Sequence, residues 1–226
     1  MKDNYQYTED WFHWAPEIWE RLVPLLPARS AFLEIGSYEG RSTVWMLENM
    51  LDVGGWIDCV DTWEGGEEHN AEGMAAVEAR FDHNINVALG GAVITLPVEP
   101  FAFRGIRHAS PAATEDRRKR VYKYKGKSTQ LLGKQLCDPR FSHFPLYNFI
   151  YIDGSHIARD VLTDACMAWP LLTPGGIVVF DDYPWGEARD ILHRPKLAID
   201  AFVNTFSEEL DIVHLGYQVA IKKRGG

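Results

Sequence analysis

The chain has 226 residues, of which 46% are hydrophobic, and this size and apolar content fit a single α/β domain with a large core. Its formal net charge of −9 argues against general nucleic-acid binding, which depends on the neutralisation of phosphates. The three cysteines lie far apart, the N-terminus does not resemble a signal peptide, and no apolar run reaches the roughly 20 residues that span a bilayer, so we expect a cytoplasmic protein without disulfides or membrane contact.

The first segment, 1–30, is rich in large aromatic rings. Residues 8–26 have helical periodicity, although two prolines limit its regularity, and they include Trp11, Trp14 and Trp19. The rings either pack against the rest of the domain, or form a lid over a functional site, or provide the contact surface of a homo-oligomer. The sequence leaves these alternatives open.

A strand–helix–strand unit follows this segment. Residues 31–35 are predicted to be a buried strand, 41–51 a helix, and 56–60 a second strand. The helical connection is long enough for the two strands to lie parallel.

The rest of the chain alternates helices and strands, apart from the segment 90–119, which holds one possible strand (92–96) and is interpreted as an insertion. The last two predicted strands are separated by two residues, which forces an antiparallel hairpin. We therefore predict an α/β, doubly wound, Rossmann-like sheet of seven mostly parallel strands, closed by an antiparallel C-terminal hairpin, within a domain of residues 31–226. The further predicted elements are helix 71–87, strand 120–125, helix 127–137, strand 147–152, helix 157–169, strand 177–180, helix 195–206 and strands 210–215 and 218–222.

The first strand ends in a glycine turn that would let a ligand approach the backbone closely. Gly36 and Gly40 have the spacing G-x-x-x-G, which differs from the G-x-G-x-x-G of dinucleotide-binding turns, so no pyrophosphate site is indicated. Glu34 favours a cationic ligand, and Asp61, at the end of the next strand, is placed to hold two adjacent ribose hydroxyls. Together they indicate a positively charged nucleoside without phosphates. A turn that merely tightens the connection is the alternative.

Two later strands end in acidic residues. Strand 147–152 is followed by Asp153 and His156, and the next strand by Asp181 and Asp182. If these strands are parallel neighbours, three carboxylates and an imidazole converge at one edge of the sheet. Carboxylates suit Mg²⁺, and an imidazole can take a proton near neutral pH. The alternatives are that the aspartates only cap helices or begin loops, and that the histidine is structural.

In combination these motifs resemble the class I S-adenosylmethionine-dependent methyltransferases. The most similar branch is that of the metal-dependent small-molecule O-methyltransferases, which includes sugar methyltransferases of macrolide biosynthesis. The resemblance covers the chain from about residue 31 to its end, although 90–119 has no counterpart. The motifs that carry it are Glu34-x-Gly36-x-x-x-Gly40, Asp61-Thr62-Trp63, Ile152-Asp153-Gly154-Ser155-His156 and Leu172-x-Pro174-Gly175-Gly176-x-x-x-x-Asp181-Asp182-Tyr183.

The resemblance implies where S-adenosylmethionine binds. Glu34 would face its methionine end, Asp61 its ribose and Ser128 its adenine. The cofactor-binding residues that the resemblance implies are Glu34, Gly36, Ser37, Gly40, Asp61, Thr62, Ser128 and Asp153.

The resemblance also implies a metal-assisted reaction at the acidic strand ends. Asp153, Asp181 and Asp182 match positions that hold a divalent ion, taken to be Mg²⁺, and His156 matches the base of some sugar methyltransferases, so Asp153 and His156 are the catalytic candidates. The catechol type has an amide in place of Asp182, which favours the sugar type here. The implied activity is methyl transfer to a hydroxyl of a small polyhydroxylated acceptor, such as a sugar or natural product. A metal-independent N- or protein methyltransferase and an inactive cofactor-binding interaction protein remain alternatives.

Overall fold

The computed structural model is built around one sheet, which has nine strands in the part of the chain that the structure describes. The described residues are 4–66, 71–74, 76–90, 96–97, 105–109, 119–137 and 147–225. The strands are β1 (Ala31–Ile35), β2 (Trp56–Asp61), β3 (Leu96–Pro97), β4 (Gly105–Ala109), β5 (Arg120–Lys125), β6 (Tyr147–Ile152), β7 (Leu172–Phe180), β8 (Leu210–Leu215) and β9 (Val219–Lys223).

Seven of these strands form the predicted sheet. Their spatial order is β5-β2-β1-β6-β7-β9-β8; the first five are parallel, and β9 is antiparallel to both of its neighbours. The short strands β3 and β4 extend the sheet beyond β5 in antiparallel pairing. They belong to the segment 90–119, which was interpreted as an insertion, so the sheet is two strands wider than predicted. Of the possible strand 92–96, residues 92–95 lie outside the described residues.

Helices cover both faces of the sheet, as a doubly wound fold requires. Buried side chains of α5, α6 and α7 form one apolar core on one face, and those of α1, α2 and α4 form a second core on the other. Within the described ranges, no helix is long and apolar enough to cross a membrane. The helices are α1 (Ala15–Leu22), α2 (Arg41–Trp45), α3 (Ala71–Met74), α4 (Val77–Ala88), α5 (Ser128–Cys137), α6 (Ala158–Ala168) and α7 (Pro195–Thr205).

The aromatic N-terminal segment packs into the domain through Trp19. This side chain of α1 is fully buried, and its ring contacts the rings of Phe149 and Tyr151 edge-on at centroid distances of 5.2 and 4.8 Å. Its indole N–H donates to Oε1 of Gln218 at 2.8 Å. The α-helix is shorter than the predicted 8–26, because the residues before α1 run along the surface as turns.

One buried carboxylate makes the stability of this sheet depend on pH. Asp58 of β2 accepts hydrogen bonds from Tyr147 and Gln135, yet burial, which those bonds oppose, raises the pKa of its carboxyl to about 7. A folded-state pKa above the unfolded value favours the protonated form. The stabilisation of the folded state by the protonated Asp58 carboxyl is therefore complete below the unfolded pKa of about 4, and it is lost as the pH rises through the folded pKa.

The variant Asp58→Asn tests this dependence, because an amide keeps the shape of the side chain and does not ionise. As the pH rises from about 5 to about 8, wild type should lose on the order of 1–3 kcal/mol of unfolding free energy that the variant keeps. Urea unfolding at the two pH values measures this difference. Parallel pH profiles of the two proteins would show that Asp58 does not titrate in this range.

Candidate active site

A cleft of about 1160 Å³ opens where the parallel strands end. Ligands of open α/β sheets bind at this carboxyl edge, where adjacent connections diverge. Most of the residues predicted from the sequence lie in its wall: Gly36, Ser37, Asp61, Thr62, Ser128, Asp153, His156, Asp181 and Asp182.

Gly36 allows the turn after β1 to pass against the loop after β6. Its φ is +84°, and a Cβ at this position would lie 2.0 Å from the carbonyl oxygen of Asp153 and 2.6 Å from Cα of Gly154. No side chain fits there. Gly40, also at positive φ, is different: a Cβ there would meet the ring of Phe81 at 2.9 Å. Gly40 is therefore needed for packing against α4, and its contact with the cofactor stays a prediction.

Glu34 is not among the residues of the cleft wall, and its contact with the methionine end of the cofactor stays a prediction. It is fully buried, and its carboxylate accepts hydrogen bonds from the hydroxyls of Ser42 and Thr43 at the start of α2. Burial raises the pKa of this carboxyl, and the hydrogen bonds from the two hydroxyls oppose the rise. Ser42 does line the cleft, so Glu34 acts on the site by orienting that hydroxyl.

Asp61 ends β2 as predicted, and its carboxylate already accepts three backbone hydrogen bonds. Its Oδ2 accepts from the backbone N–H groups of Ser37 (2.8 Å) and Tyr38 (2.9 Å), and its Oδ1 accepts from the N–H of Trp63 (2.6 Å). A carboxylate has about four acceptor positions. Asp61 can therefore accept one further hydroxyl rather than the predicted pair, and it also holds the turn after β1 in place.

The acid cluster, which we define as Asp153, Asp181 and Asp182, follows the neighbouring parallel strands β6 and β7 as predicted. The hydroxyl of Tyr151 contacts Oδ2 of Asp153 at 3.0 Å and Oδ2 of Asp181. Nε2 of Gln218 donates to Oδ2 of Asp181 at 3.2 Å. Burial, followed by repulsion from the neighbouring carboxylates, raises the pKa of Asp153 and brings that of Asp181 to about 6. The carboxyls of Asp153 and Asp181 are therefore harder to ionise than that of a free aspartate.

His156 lies beside this cluster. Its Nε2 is 2.8 Å from Oδ2 of Asp182, and its ring stacks on Trp185 with a centroid separation of 3.9 Å. Asp182 has a φ of +56°, which is uncommon for a residue with a side chain, and its N–H donates to Oδ1 of Asp181 at 2.7 Å. Such backbone strain is often found at functional sites, and here it turns the Asp182 carboxylate towards the histidine.

The family model of the methyltransferase domain matches residues 33–183, which include the glycine turn and both acidic strand ends. That match covers more than half of the chain. The chain belongs to the class I S-adenosylmethionine-dependent methyltransferases. No curated protein sequence is similar enough to count as a match.

Solved methyltransferases share the fold at low sequence identity. The S-adenosylhomocysteine-bound O-methyltransferase from Bacillus cereus is 18% identical, covers 96% of this chain and 84% of its own, and has a TM-score of 0.59. TomG from Streptomyces achromogenes, an O-methyltransferase of tomaymycin synthesis, is 15% identical; the match covers 91% of this chain and 77% of TomG, with a TM-score of 0.57. CalS11, a TDP-rhamnose 3′-O-methyltransferase of calicheamicin biosynthesis, is 15% identical; the match covers 94% of this chain and 78% of CalS11, with a TM-score of 0.53. At these identities the likeness shows the fold alone.

The acid cluster of this methyltransferase is not arranged as a coordination shell. Among the residues described, no three His, Cys, Asp or Glu side chains form a group that could hold a metal ion. The hydroxyl of Tyr151 bonds to Asp153 and Asp181, and Asp182 is paired with His156. The donor atoms nevertheless have the chemistry that Mg²⁺ prefers. The metal site therefore stays a prediction.

Several residues of the methyltransferase site had no signal in the sequence. Tyr151 looked like one more apolar residue of a buried strand, and Gln218 like the first residue of the last strand. The N-terminal segment also reaches the cleft, since the N–H and hydroxyl of Thr8 both donate to Glu39 at 2.7 Å. The cleft residues that sequence reasoning missed include Tyr7, Glu9, Asp10, Phe12, His13, Tyr38, Arg41, Ser42, Tyr151, Trp185, Arg189 and Tyr217.

Proposed function

We propose that this methyltransferase transfers the methyl group of S-adenosylmethionine to a hydroxyl of a small polyhydroxylated acceptor, such as a sugar or a natural product. The observation that carries the proposal is the meeting of the acid cluster with His156 at one end of the cleft. An alcohol must lose its proton to become a good nucleophile; the imidazole could remove that proton, and a cation held by the acid cluster would stabilise the negative charge on the oxygen. The sugar substrate of CalS11, which shares the fold, supports a sugar acceptor.

The turn after β1 and the end of β2 would hold the methyl donor. Gly36 lets the turn after β1 pass against the loop after β6, and Ser42 presents a hydroxyl whose direction Glu34 fixes. Asp61 has one acceptor position left for a ribose hydroxyl. Thr62, the next residue, also lines the cleft. Methyl transfer is an in-line displacement, so holding the donor rigidly is a large part of catalysis.

Asp153, Asp181 and Asp182 would hold a divalent cation, and their oxygen ligands suit Mg²⁺. Burial and the repulsion between neighbouring carboxylates raise the pKa values of Asp153 and Asp181, and a divalent ion bound there would offset that repulsion. When bound, such an ion supplies Lewis-acid chemistry that lowers the pKa of a coordinated hydroxyl.

His156 would act as the base through Nε2 once the Asp182 carboxylate no longer accepts its hydrogen, because a ring nitrogen that donates to a carboxylate has no lone pair for a second proton. The other ring nitrogen, Nδ1, is buried, whereas Nε2 lies beside Asp182 at the wall of the cleft. The stack on Trp185 restrains the plane of the ring. A base must be within hydrogen-bonding reach of the proton that it removes, and His156 lines the cleft in which an acceptor hydroxyl would bind.

Manganese binding tests the metal part of the proposal without any knowledge of the acceptor. We expect the wild-type chain, saturated with S-adenosylhomocysteine, to bind one Mn²⁺ in a calorimetric titration, and Asp181→Asn to bind it at least about tenfold more weakly because one charged ligand is lost.

The matched control for this titration is Asp160→Asn. Asp160 is an acid of the same cleft that accepts from Ser155 and lies outside the acid cluster, so its variant should keep the manganese affinity. Equal affinities of wild type and Asp181→Asn would contradict the metal site.

The existing pairing of the acid cluster favours one second candidate, metal-independent transfer to an amine. Asp182 is paired with His156, and Asp153 contacts Tyr151, so the carboxylates could orient an ammonium group rather than coordinate a metal. Methyl transfer to an amine that continues at full rate in EDTA would support this candidate over the first.

A further inference from the structure

We propose that Asp164 gives the cleft its preference for adenine by fixing the direction of the Ser128 hydroxyl hydrogen. Asp164 is thus a positioning residue that acts through Ser128. The inference rests on the proposed function, because it concerns the nucleoside of the methyl donor.

The order of the strands indicates where the purine base lies. Asp181 follows β7, Asp153 follows β6, Gly36 follows β1, Asp61 ends β2, and β5 is the next strand in that direction. A nucleoside whose sulfur approaches the acid cluster and whose ribose contacts β2 must extend its base towards β5. The connection after β5 leads directly into α5.

Ser128, the first residue of α5, lines that end of the cleft, and its Oγ donates to Oδ1 of Asp164 at 2.5 Å. Asp164 lies on the neighbouring helix α6 and is only 4% exposed. Burial, with a smaller contribution from Asp160, raises the pKa of the Asp164 carboxyl to about 6, and the hydrogen bond from Ser128 opposes the rise. At neutral pH it is therefore mostly ionised, and a carboxylate can only accept hydrogen bonds.

The Ser128 hydroxyl therefore presents only acceptor character to the cleft. Its hydrogen is directed at Asp164, which leaves the oxygen lone pairs for a ligand. Adenine carries an amino group at C6, which donates hydrogen bonds. Hypoxanthine carries a carbonyl there, and two acceptors facing each other cannot form a hydrogen bond. A site built around a fixed hydrogen bond discriminates strongly against the analogue that lacks the partner.

The test is calorimetric titration with S-adenosylhomocysteine and S-inosylhomocysteine, which differ in the group at C6 of the purine and in the hydrogen that hypoxanthine carries on N1. Wild type should bind the adenine compound at least about tenfold more tightly. In Asp164→Leu the hydroxyl loses its acceptor, and in Asp164→Asn the side-chain amide can donate to Ser128, so in both variants we expect the preference to fall below about threefold. Ser128→Ala should lose the preference as well, whereas Ser128→Thr, which keeps the hydroxyl, should retain it.

Asp160→Asn is the control for charge, because Asp160 lines the same cleft but bonds to Ser155. It should keep the wild-type ratio of the two affinities. If both Asp164 variants have native circular dichroism and the wild-type ratio of the two affinities, the inference is overturned and the proposed function stands. A folded wild-type chain that binds neither compound would overturn the proposed function and the inference together.

Discussion

Replacing His156 with alanine should lower kcat for methyl transfer by about 10²–10⁴-fold and leave the Kd for S-adenosylhomocysteine within about twofold, because general-base catalysis commonly contributes a factor of that size. The imidazole is held by Asp182 and Trp185 at the acid cluster, where the acceptor is proposed to bind. Its loss should therefore change the chemical step and spare cofactor binding. Turnover can be followed on any acceptor that gains about 14 Da with the wild-type enzyme.

The control for this variant is His83→Ala. His83 is on α4 and bonds to the backbone of Asn4, so its replacement should leave kcat unchanged. The pH profile gives a second readout, since the basic group that limits kcat at low pH in wild type should be missing from the profile of His156→Ala. A His156→Ala enzyme that keeps kcat within about threefold of wild type would exclude this residue as the base.

Gly36→Ala should have the largest effect on binding. The added Cβ would lie 2.0 Å from the carbonyl oxygen of Asp153, and the backbone has a φ of +84°, so either the turn after β1 or the loop after β6 must move. We expect the unfolding free energy to fall by roughly 2–4 kcal/mol and S-adenosylhomocysteine binding to be lost. Urea unfolding and calorimetry measure the two effects.

Gly133→Ala is a suitable control, because it adds the same methyl group within α5. The nearest atom to that Cβ would be Cε of Met167 at 3.7 Å, an ordinary contact. Alanine also favours a helix over glycine by up to about 1 kcal/mol, so this variant should be neutral or slightly stabilised. Equal stability and binding of Gly36→Ala and wild type would mean that the two loops do not meet as described.

The sequence was informative where local pattern decides the structure. Short apolar runs located the central strands, although β7 begins at Leu172 rather than at the predicted residue 177, and the two-residue link of the last strands predicted their antiparallel pairing. The position of the acid cluster followed from the same logic, because residues that end neighbouring parallel strands must meet at one edge of the sheet. The strands β3 and β4 were missed because they are short and lie at the edge of the sheet, where no strong apolar run is needed.

The sequence was less informative where distant partners decide a side chain's role. Glu34 and Asp61 were both expected to contact the ligand, but the sequence did not show that Ser42 and three backbone N–H groups bond to them. Gln218 joins Trp19, 199 positions away, to Asp181 at the site. Such contacts depend on the completed packing of both helical layers, and periodicity in a single sequence does not encode them.

The central claim is that the cleft at the carboxyl edge of the sheet binds the methyl donor. Calorimetric titration of the wild-type chain with S-adenosylhomocysteine tests it most directly, since it needs no acceptor and no metal. The account predicts saturable binding of one molecule per chain. A folded chain that gives no binding heat at any temperature tried, and no thermal stabilisation by the ligand, would contradict it.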